Sequence, residues 1–476
     1  AENEYSELGE YYLITDEFRR VERGEVQIVL GRKGSGKSAL FFQIRDHLRR
    51  NKKNVIIDLK PEGFQLLKFK QQVLDYLEEG ARDHTITAFW EYLLLLEICN
   101  KLLENDKYIY LNNHKIFDAY QQLLKTYGSD KYIGEGDFAE RMLNLTQRIS
   151  DDFNENFGNI EKKGSLTSGE ITNLIYRHDV EKLMDQIVNY LQEKESIWIL
   201  FDNLDKGWPA HGIKPEDVIS LHALINAMNK IQREFHRKRI VSSGVIFIRN
   251  DVFENLVKSI PDRGKISHVQ IDWTDGALLL EILHNRFLKS ELNGKPSFND
   301  LWEKICVSLI DGQYSADYLL DRCLMRPRSL IEFLKSCKSH AVNLGHQRIE
   351  VEDIKQGEES YSTQMVNDIS YEIQDVYPTA VNVLYEFIEC PSEMEKDQID
   401  LILSKVSTDN EIQRKIFDLL LWYGVIGFKR KSGDFTFIYS VGYDMRRLHA
   451  LLENRSDAGI KYVINPAFWS GLEVKK

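Results

Sequence analysis

Residues 31–38 read Gly-Arg-Lys-Gly-Ser-Gly-Lys-Ser, and this stretch decides the fold. It follows residues 26–30 (VQIVL), a short apolar run that predicts a buried strand, and it precedes residues 39–50, where leucine and isoleucine recur every four positions as in a helix. A strand, this glycine-rich sequence and a helix, in that order, form the context that the pattern G-x-x-x-x-G-K-[ST] requires. The alternative is an accidental glycine-rich turn between a strand and a helix.

Each residue type in this loop has a chemical reason. Glycines carry no Cβ, so successive peptide N–H groups can converge on phosphate oxygens, and the start of the following helix adds partial positive charge. Lys37 is expected to reach the β- and γ-phosphates, and the Ser38 hydroxyl is expected to bind Mg²⁺. We therefore predict a nucleoside triphosphate site formed by Gly31, Arg32, Lys33, Gly34, Ser35, Gly36, Lys37 and Ser38.

A second buried strand is predicted at residues 196–201 (SIWILF), and Asp202 follows it directly. A nucleotide hydrolase of this type needs a carboxylate at the end of such a strand to hold Mg²⁺, and a polar group nearby to position water. We assign Asp202 to the metal and Asp205 to polarising the attacking water. The alternative is that both aspartates cap the next structural element.

The whole pattern predicts an α/β fold, namely a P-loop NTPase parallel sheet with a large helical insertion, an α-helical lid and a C-terminal winged-helix domain. Further strands are predicted at 54–59, 239–248 and 266–271, and residues 151–169 within the insertion read as an exposed loop. The predicted units are an N-terminal segment (1–22), a P-loop core (23–273, with the insertion at about 62–195), a lid with a connecting helix (274–374) and a winged-helix-like domain (375–476).

Composition limits the class of protein. The 476 residues carry 62 Lys and Arg against 74 Asp and Glu, a formal net charge of -12, and 43% of them are hydrophobic. Disorder is therefore excluded as the main state, and a surface built for non-specific nucleic-acid binding is disfavoured. No apolar run reaches the roughly 18 residues that a membrane helix needs. Five widely spaced cysteines without a C-x-x-C pair predict a reduced, cytoplasmic protein.

A polar side chain after a strand beside the phosphate loop can sense the γ-phosphate. The predicted strand 239–248 is followed by Arg249 and Asn250, so Arg249 is our candidate for this role and Asn250 is the alternative. An ion pair of Arg249 with Asp251 or Glu254 is the competing structural explanation.

Three stretches with helical spacing, 275–287, 301–309 and 329–341, form the predicted lid. Arg326 and Pro327 open the last of these helices, where proline suits the first turn, and an arginine there is placed to close onto the phosphates. The alternative is a solvated pair of arginines at a helix start.

The pattern changes from about residue 375. Helical runs are predicted at 380–388 and 412–423, and strands at 425–428 and 435–439. Helices followed by a β-hairpin are typical of a winged helix. The hairpin tip carries Lys429, Arg430 and Lys431. These side chains can contact a DNA backbone, although a basic tip is more often solvated or packed on a partner.

The ordered set GRKGSGKS, ILFDNLD, FIRND and RPRSL, with the winged-helix pattern after it, resembles the STAND and origin-recognition branch of AAA+-like ATPases. Over most of residues 10–450 the chain looks like a bacterial, defence-associated P-loop ATPase of that group. The resemblance implies that the nucleotide is ATP. The roles it implies are Lys37, Ser38 and Asp202 for ATP and Mg²⁺, Asp205 as the second acid, Arg249 as the sensor arginine and Pro327 beside the adenine.

Two functions of different classes follow from this resemblance. The first is a regulatory ATPase that hydrolyses ATP slowly and acts in antiviral defence, as a homo-oligomer or through a separate effector protein, since no repeat array or effector domain is recognisable. The second is a DNA-binding ATPase of the origin-recognition type, with the basic hairpin tip on the duplex. A small-molecule kinase is a third option for which the sequence names no acceptor.

Asp205→Asn is expected to leave ATP–Mg²⁺ binding nearly intact and to stop hydrolysis, because the amide has the size of the carboxylate but cannot polarise water as a base does. Calorimetry measures the binding, and phosphate release measures the turnover. Turnover that survives the substitution would mean that Asp205 has only a structural role.

Overall fold

The structure, a computed structural model, describes residues 4, 7–60, 82–127, 136–157, 180–204, 215–259, 266–289, 296–430, 433–453 and 459–475. Its central sheet has five strands: β1 (Ile28–Gly31), β2 (Asn54–Leu59), β3 (Ser196–Phe201), β4 (Ser242–Ile248) and β5 (His268–Ile271). All neighbours are parallel, in the spatial order β2-β3-β4-β1-β5. The predicted α/β fold with a parallel sheet is confirmed. Only β4 is clearly shorter than predicted, because Arg239 has a left-handed φ of 61° in the preceding turn.

Helices cover both faces of this sheet. They are α1 (Leu8–Tyr11), α2 (Asp16–Glu22), α3 (Lys37–Arg49), α4 (Arg82–Asp106), α5 (His114–Tyr127), α6 (Phe138–Phe157), α7 (Val180–Leu191), α8 (Pro215–Arg237) and α9 (Asn250–Ser259). Successive strand residues point to opposite faces, so Ile28 and Leu30 join the apolar layer of α4–α9 while Val29 joins that of α1–α3. The sheet is therefore buried on both faces, as a parallel sheet requires.

The inserted helices form part of this core. Helix α4 packs against both α8 and β2, and the ring of Trp90 meets that of Phe201 edge-on at 6.0 Å. The predicted exposed loop is wrong for residues 151–157, which are the last turns of α6; the rest of 151–169 lies outside the described residues. The insertion thus supplies the layer that covers one face of the sheet.

The second half of the chain contains eight described helices and a small antiparallel sheet. The helices are α10 (Gly276–Leu288), α11 (Phe298–Ile305), α12 (Ser315–Leu320), α13 (Pro327–Leu344), α14 (Val351–Val376), α15 (Lys396–Val406), α16 (Asn410–Trp422) and α17 (Met445–Glu453). The short strands are β6 (Leu309–Ile310), β7 (Gln313–Tyr314), β8 (Glu393–Met394), β9 (Ile426–Lys429), β10 (Phe435–Thr436) and β11 (Tyr462–Ile464). The last four form a sheet in the order β10-β9-β11-β8.

One hydrophobic core runs through this half, from Leu279 to Leu472, so the predicted lid and winged-helix-like units share their buried side chains. The predicted helix 380–388 is wrong in kind, because the backbone forms two 3₁₀ turns there, broken at Asn382. The predicted strand 435–439 ends at Thr436 and continues as another 3₁₀ turn. Among the described residues, none of the helices combines the length and apolarity needed to cross a bilayer.

Gly357 sets the distance between α13 and α14. A Cβ at this position would lie 2.7 Å from both the Cα and the backbone nitrogen of Cys337. Because backbone atoms cannot move aside as a flexible side chain does, Gly357→Ala is expected to lower the free energy of unfolding by about 1–3 kcal/mol. Urea denaturation measures this change. Gln356→Ala, on the exposed face of the same helix, is the control and is expected to change it by less than about 0.5 kcal/mol.

Candidate functional site

The loop of residues 31–38 joins the end of β1 to the start of α3. Gly34 has a φ of 81° and Gly36 has a φ of 103°. Both values lie in the left-handed region, which glycine adopts easily and residues with a side chain adopt only with strain. At Gly31 an added Cβ would lie 2.3 Å from the Ser35 hydroxyl. Gly36 caps α3 without a side chain, so the first peptide N–H groups of this 13-residue helix face the loop uncovered. Such a helix start attracts anions.

Lys37 lies over its own loop. Its Nζ donates to the carbonyl oxygen of Gly31 at 2.8 Å and to that of Arg32 at 3.2 Å. The ammonium group is therefore held at the mouth of the loop by neutral acceptors. Phosphate oxygens carry more negative charge than carbonyl oxygens, so an entering phosphate can replace them.

Asp202 lies beside the same helix start. Its carboxylate is 2% exposed and contacts the Ser38 hydroxyl by a hydrogen bond. Burial raises the pKa of Asp202, while Lys60 acts in the opposite direction with its Nζ 3.6 Å from Oδ2. That Oδ2 has no hydrogen-bond partner. A buried carboxylate oxygen that has an ammonium group at 3.6 Å but no hydrogen bond, next to a hydroxyl, is an arrangement that a closer cation would complete.

The residue after Asp202 is also unusual. Asn203 has a left-handed φ of 62°, and its peptide N–H donates to the Asp202 carboxylate. Its side chain lines the cavity described below. Asp205, the predicted water-polarising residue, lies outside the described residues, and its role stays a prediction.

Arg249 is engaged by two carboxylates. Its guanidinium donates twice to Asp251, at 3.0 and 2.6 Å, and once to Asp375 of α14 at 2.7 Å. Burial would lower the pKa of Arg249, but these acids raise it above its ordinary value, so the group stays charged. The ion pair with Asp251 that competed with the sensor role is present, and Arg249 also lines the cavity. The alternative sensor, Asn250, is buried, and its side-chain amide has no hydrogen-bond partner.

Arg326 does not lie where its predicted role requires. Its guanidinium is buried in a two-point ion pair with Glu372 of α14, at 2.8 and 3.1 Å, and it is not among the residues that line the cavity. Pro327 does line the cavity, and so does Arg328, which sequence reasoning passed over. The Arg328 peptide N–H donates to the Gly34 carbonyl at 3.4 Å, so the start of α13 rests on the phosphate loop.

A cavity of about 760 Å³ extends from this loop. It is lined by the loop, Asp202 and Arg249, and by the charged Glu4, Arg286, Glu332 and Lys335. Apolar and aromatic side chains of the N-terminal segment, the end of the sheet and the predicted lid also line it: Leu8, Tyr11, Tyr12, Leu13, Trp273, Ile282, Pro327 and Ile331. Trp273 was not predicted. It donates its indole N–H to the Ser35 carbonyl at 2.8 Å, and its signal was its place just after a predicted strand, because strand ends meet at one edge of the sheet.

The parallel sheet, the glycine loop between β1 and α3, and the buried Asp202 after β3, which β4 separates from β1, define a P-loop nucleotide-binding α/β fold. Residues 277–370, which span α10 to most of α14, match a family model described as the FunZ-associated C-terminal helical domain. This match covers the helical region beside the loop and not the loop itself.

A transposon gamma-delta 80.3 kDa protein of Escherichia coli (strain K12) is 22% identical to the chain over 503 residues. The alignment covers 100% of this chain and 66% of that protein, so the chain spans about two thirds of the length of this relative. Two archaeal structures are similar over most of the chain. The Orc1 protein of Aeropyrum pernix, in complex with DNA, has a TM-score of 0.37 at 11% identity, covering 96% of this chain and 91% of its own. Cdc6p of Pyrobaculum aerophilum has a TM-score of 0.33 at 10% identity, and the alignment covers 92% of this chain and 94% of that protein's chain.

Asp272 follows β5 and is expected to make stability depend on pH. Burial raises its pKa from 3.8 to about 6, against the attraction of Arg32 and Lys37. The native state therefore holds this proton more tightly than the unfolded state, and stability is lost as pH rises from about 4 to about 6. Asp272→Asn removes this loss. Its free energy of unfolding relative to wild type should increase by about 1 kcal/mol between about pH 5 and about pH 7.5 in urea titrations without nucleotide.

A difference between Asp272→Asn and wild type that stays constant over this pH range would contradict the assignment.

Proposed function

We propose that this chain is a regulatory ATPase that binds ATP with Mg²⁺ and hydrolyses it slowly. The observation that carries the proposal is the loop of residues 31–38, with left-handed glycines, Lys37 at its mouth and Asp202 beside Ser38. The cavity of about 760 Å³ has the volume of a small-molecule site, and both this loop and several apolar side chains line it. ATP rather than another nucleotide is proposed from the sequence resemblance.

The residues fit Mg²⁺. The unpartnered Oδ2 of Asp202 and the adjacent Ser38 hydroxyl are hard oxygen ligands of the kind that Mg²⁺ prefers. When bound, the cation would draw negative charge away from the β- and γ-phosphates. The buried carboxylate would benefit as well, because a neighbouring cation offsets the penalty of burial that raises the pKa of Asp202.

The chain's own groups would bind and orient the triphosphate. Lys37 would exchange the carbonyls of Gly31 and Arg32 for phosphate oxygens, and the peptide N–H groups at the start of α3 would donate to them. The apolar and aromatic side chains that line the cavity would offer the base a surface to pack on. Of the described side chains, Asn203 and Arg249 line the cavity beside Asp202; Asp205 lies outside the described residues, and its role stays a prediction.

Slow turnover is proposed from the state of these side chains. Asn203, directly after Asp202, is an amide that can orient water but cannot accept its proton. The charge of Arg249 is already matched by Asp251 and Asp375, and that of Arg326 by Glu372. Moving either arginine to a phosphate would first require breaking a partly or fully buried ion pair. A slow hydrolase is suited to a switch whose state lasts as long as its nucleotide.

Assembly as a homo-oligomer, action through a separate effector, and a role in antiviral defence complete the proposal and rest on the sequence resemblance.

The alternative, a DNA-binding ATPase, is supported by the E. coli transposon protein, whose similarity covers the whole chain. Against it, Lys429 is paired with Glu393, which offsets one positive charge of the hairpin. Arg430 donates to the neutral Thr436 hydroxyl at 2.6 Å, and Lys431 lies outside the described residues. Salt-dependent binding of duplex DNA would favour this alternative, and no binding at low salt would exclude it.

Lys37→Ala is expected to weaken ATP–Mg²⁺ binding by about 10- to 100-fold, because it removes a charged donor to the phosphates. Calorimetry measures the affinity, and mass photometry with ATP, ADP or no nucleotide measures whether assembly follows it. Lys52→Ala, an exposed lysine before β2, is the matched control and should bind as wild type does. Unchanged affinity in Lys37→Ala would refute the site.

A further inference from the structure

Arg32 is the second residue of the phosphate loop, yet its side chain turns away from the loop into the protein. It is 4% exposed, and its guanidinium carbon lies 3.9 Å from the centre of the Tyr443 ring. It donates to the Tyr443 hydroxyl and, at 3.5 Å, to the Leu324 carbonyl. The loop is thereby tied to a residue 411 positions away in the C-terminal part of the chain.

The backbone around Arg32 is strained on both sides of the contact. Leu324 and Met325 have left-handed φ angles of 52° and 50°, and Tyr443 has one of 59°. None of them is glycine, so each conformation is held at a cost by the surrounding structure. Two of these residues, Leu324 and Tyr443, accept hydrogen bonds from Arg32, and strained backbone of this kind is found at functional sites.

The backbone of Arg32 also accepts hydrogen bonds within the phosphate loop. The Arg32 carbonyl accepts from Lys37 Nζ at 3.2 Å and from the Ser35 peptide N–H at 3.1 Å. A shift of the Arg32 backbone therefore changes where the Lys37 ammonium and the Ser35 amide lie. Both of these groups belong to the anion-binding part of the loop.

The cluster is incompletely paired. Nε and Nη1 of Arg32 and Oδ1 of Asp272 are buried without hydrogen-bond partners, and Nε lies 3.9 Å from that oxygen. A small movement would close this gap at the expense of the contact with Tyr443. Two arrangements that each satisfy part of a buried polar cluster are the kind of element that can change state when a ligand binds.

We infer that Tyr443 is a positioning residue of the phosphate loop, which couples nucleotide binding at residues 31–38 to the docking of the segment around Tyr443. This inference rests on the proposed nucleotide binding. The Tyr443 ring and hydroxyl hold Arg32 so that the loop backbone stays in its anion-accepting form. Because coupling is reciprocal, nucleotide binding in turn stabilises the segment that contains Tyr443.

The test uses the full chain and the variants Tyr443→Leu, Arg32→Leu and the double variant. Tyr443→Leu is expected to weaken MgADP binding at least about fivefold by calorimetry, at the lower end of typical coupling. The double variant should bind no more weakly than the weaker single variant, since both remove one contact. Tyr439→Phe is the matched control, because it removes a buried hydroxyl that accepts from Asn465 and does not touch Arg32. It should bind as wild type does.

Hydrogen exchange without nucleotide tests the contact independently. Tyr443→Leu should speed exchange in residues 31–38, and Arg32→Leu should speed it around residues 438–448. Tyr439→Phe, whose site lies inside the second segment, should leave exchange in residues 31–38 as it is in wild type. In wild type, MgADP should slow exchange around 438–448. A folded Tyr443→Leu protein with wild-type affinity and wild-type exchange in the loop would overturn the inference. If wild type binds no MgADP but the two reciprocal exchange effects are present, the proposed function fails while the coupling of loop and segment stands.

Discussion

The phosphate loop can present its peptide groups to an anion only because β1 and α3 are held on either side of it. Gly34 and Gly36 tolerate the left-handed backbone, but they do not impose it. The loop conformation is fixed by the burial of the elements on either side of it. β1 lies inside the sheet between β4 and β5, and α3 packs its apolar face on that sheet. The position of Asp202 depends on the same constraint, since β3 ends at the same edge of the sheet.

Arginine side chains around this loop contact groups that are distant in sequence, although Arg249 also pairs with the nearby Asp251. Arg249 and Arg326 both pair with acids of α14, Asp375 and Glu372, and Arg32 meets Tyr443. Each contact joins the region of the phosphate loop or the lid to a distant part of the second half. Buried charges are costly to leave unpaired, so the two halves cannot separate without cost while Arg249 and Arg32 make these contacts.

The second half of the chain is stabilised by a single hydrophobic core. Its apolar side chains, from α10 to the last 3₁₀ turn, share one core, and Gly357 allows α13 and α14 to approach closely within it. A movement of the C-terminal part relative to the lid would open this core.

The sequence by itself determined the sheet and the chemistry of the loop, because a phosphate site needs particular residues at fixed spacing, and buried parallel strands need continuous apolar runs. Residues 54–59 and 196–201, Lys37, Ser38 and Asp202 were accessible in this way. The partners of the arginines were not. Arg326 and Arg328 are two residues apart and chemically identical, yet one is buried against Glu372 and the other lines the cavity. Only the tertiary structure decided this, because ion pairing depends on which distant helix lies close to each arginine. The residues next to an arginine in the sequence do not determine that distance.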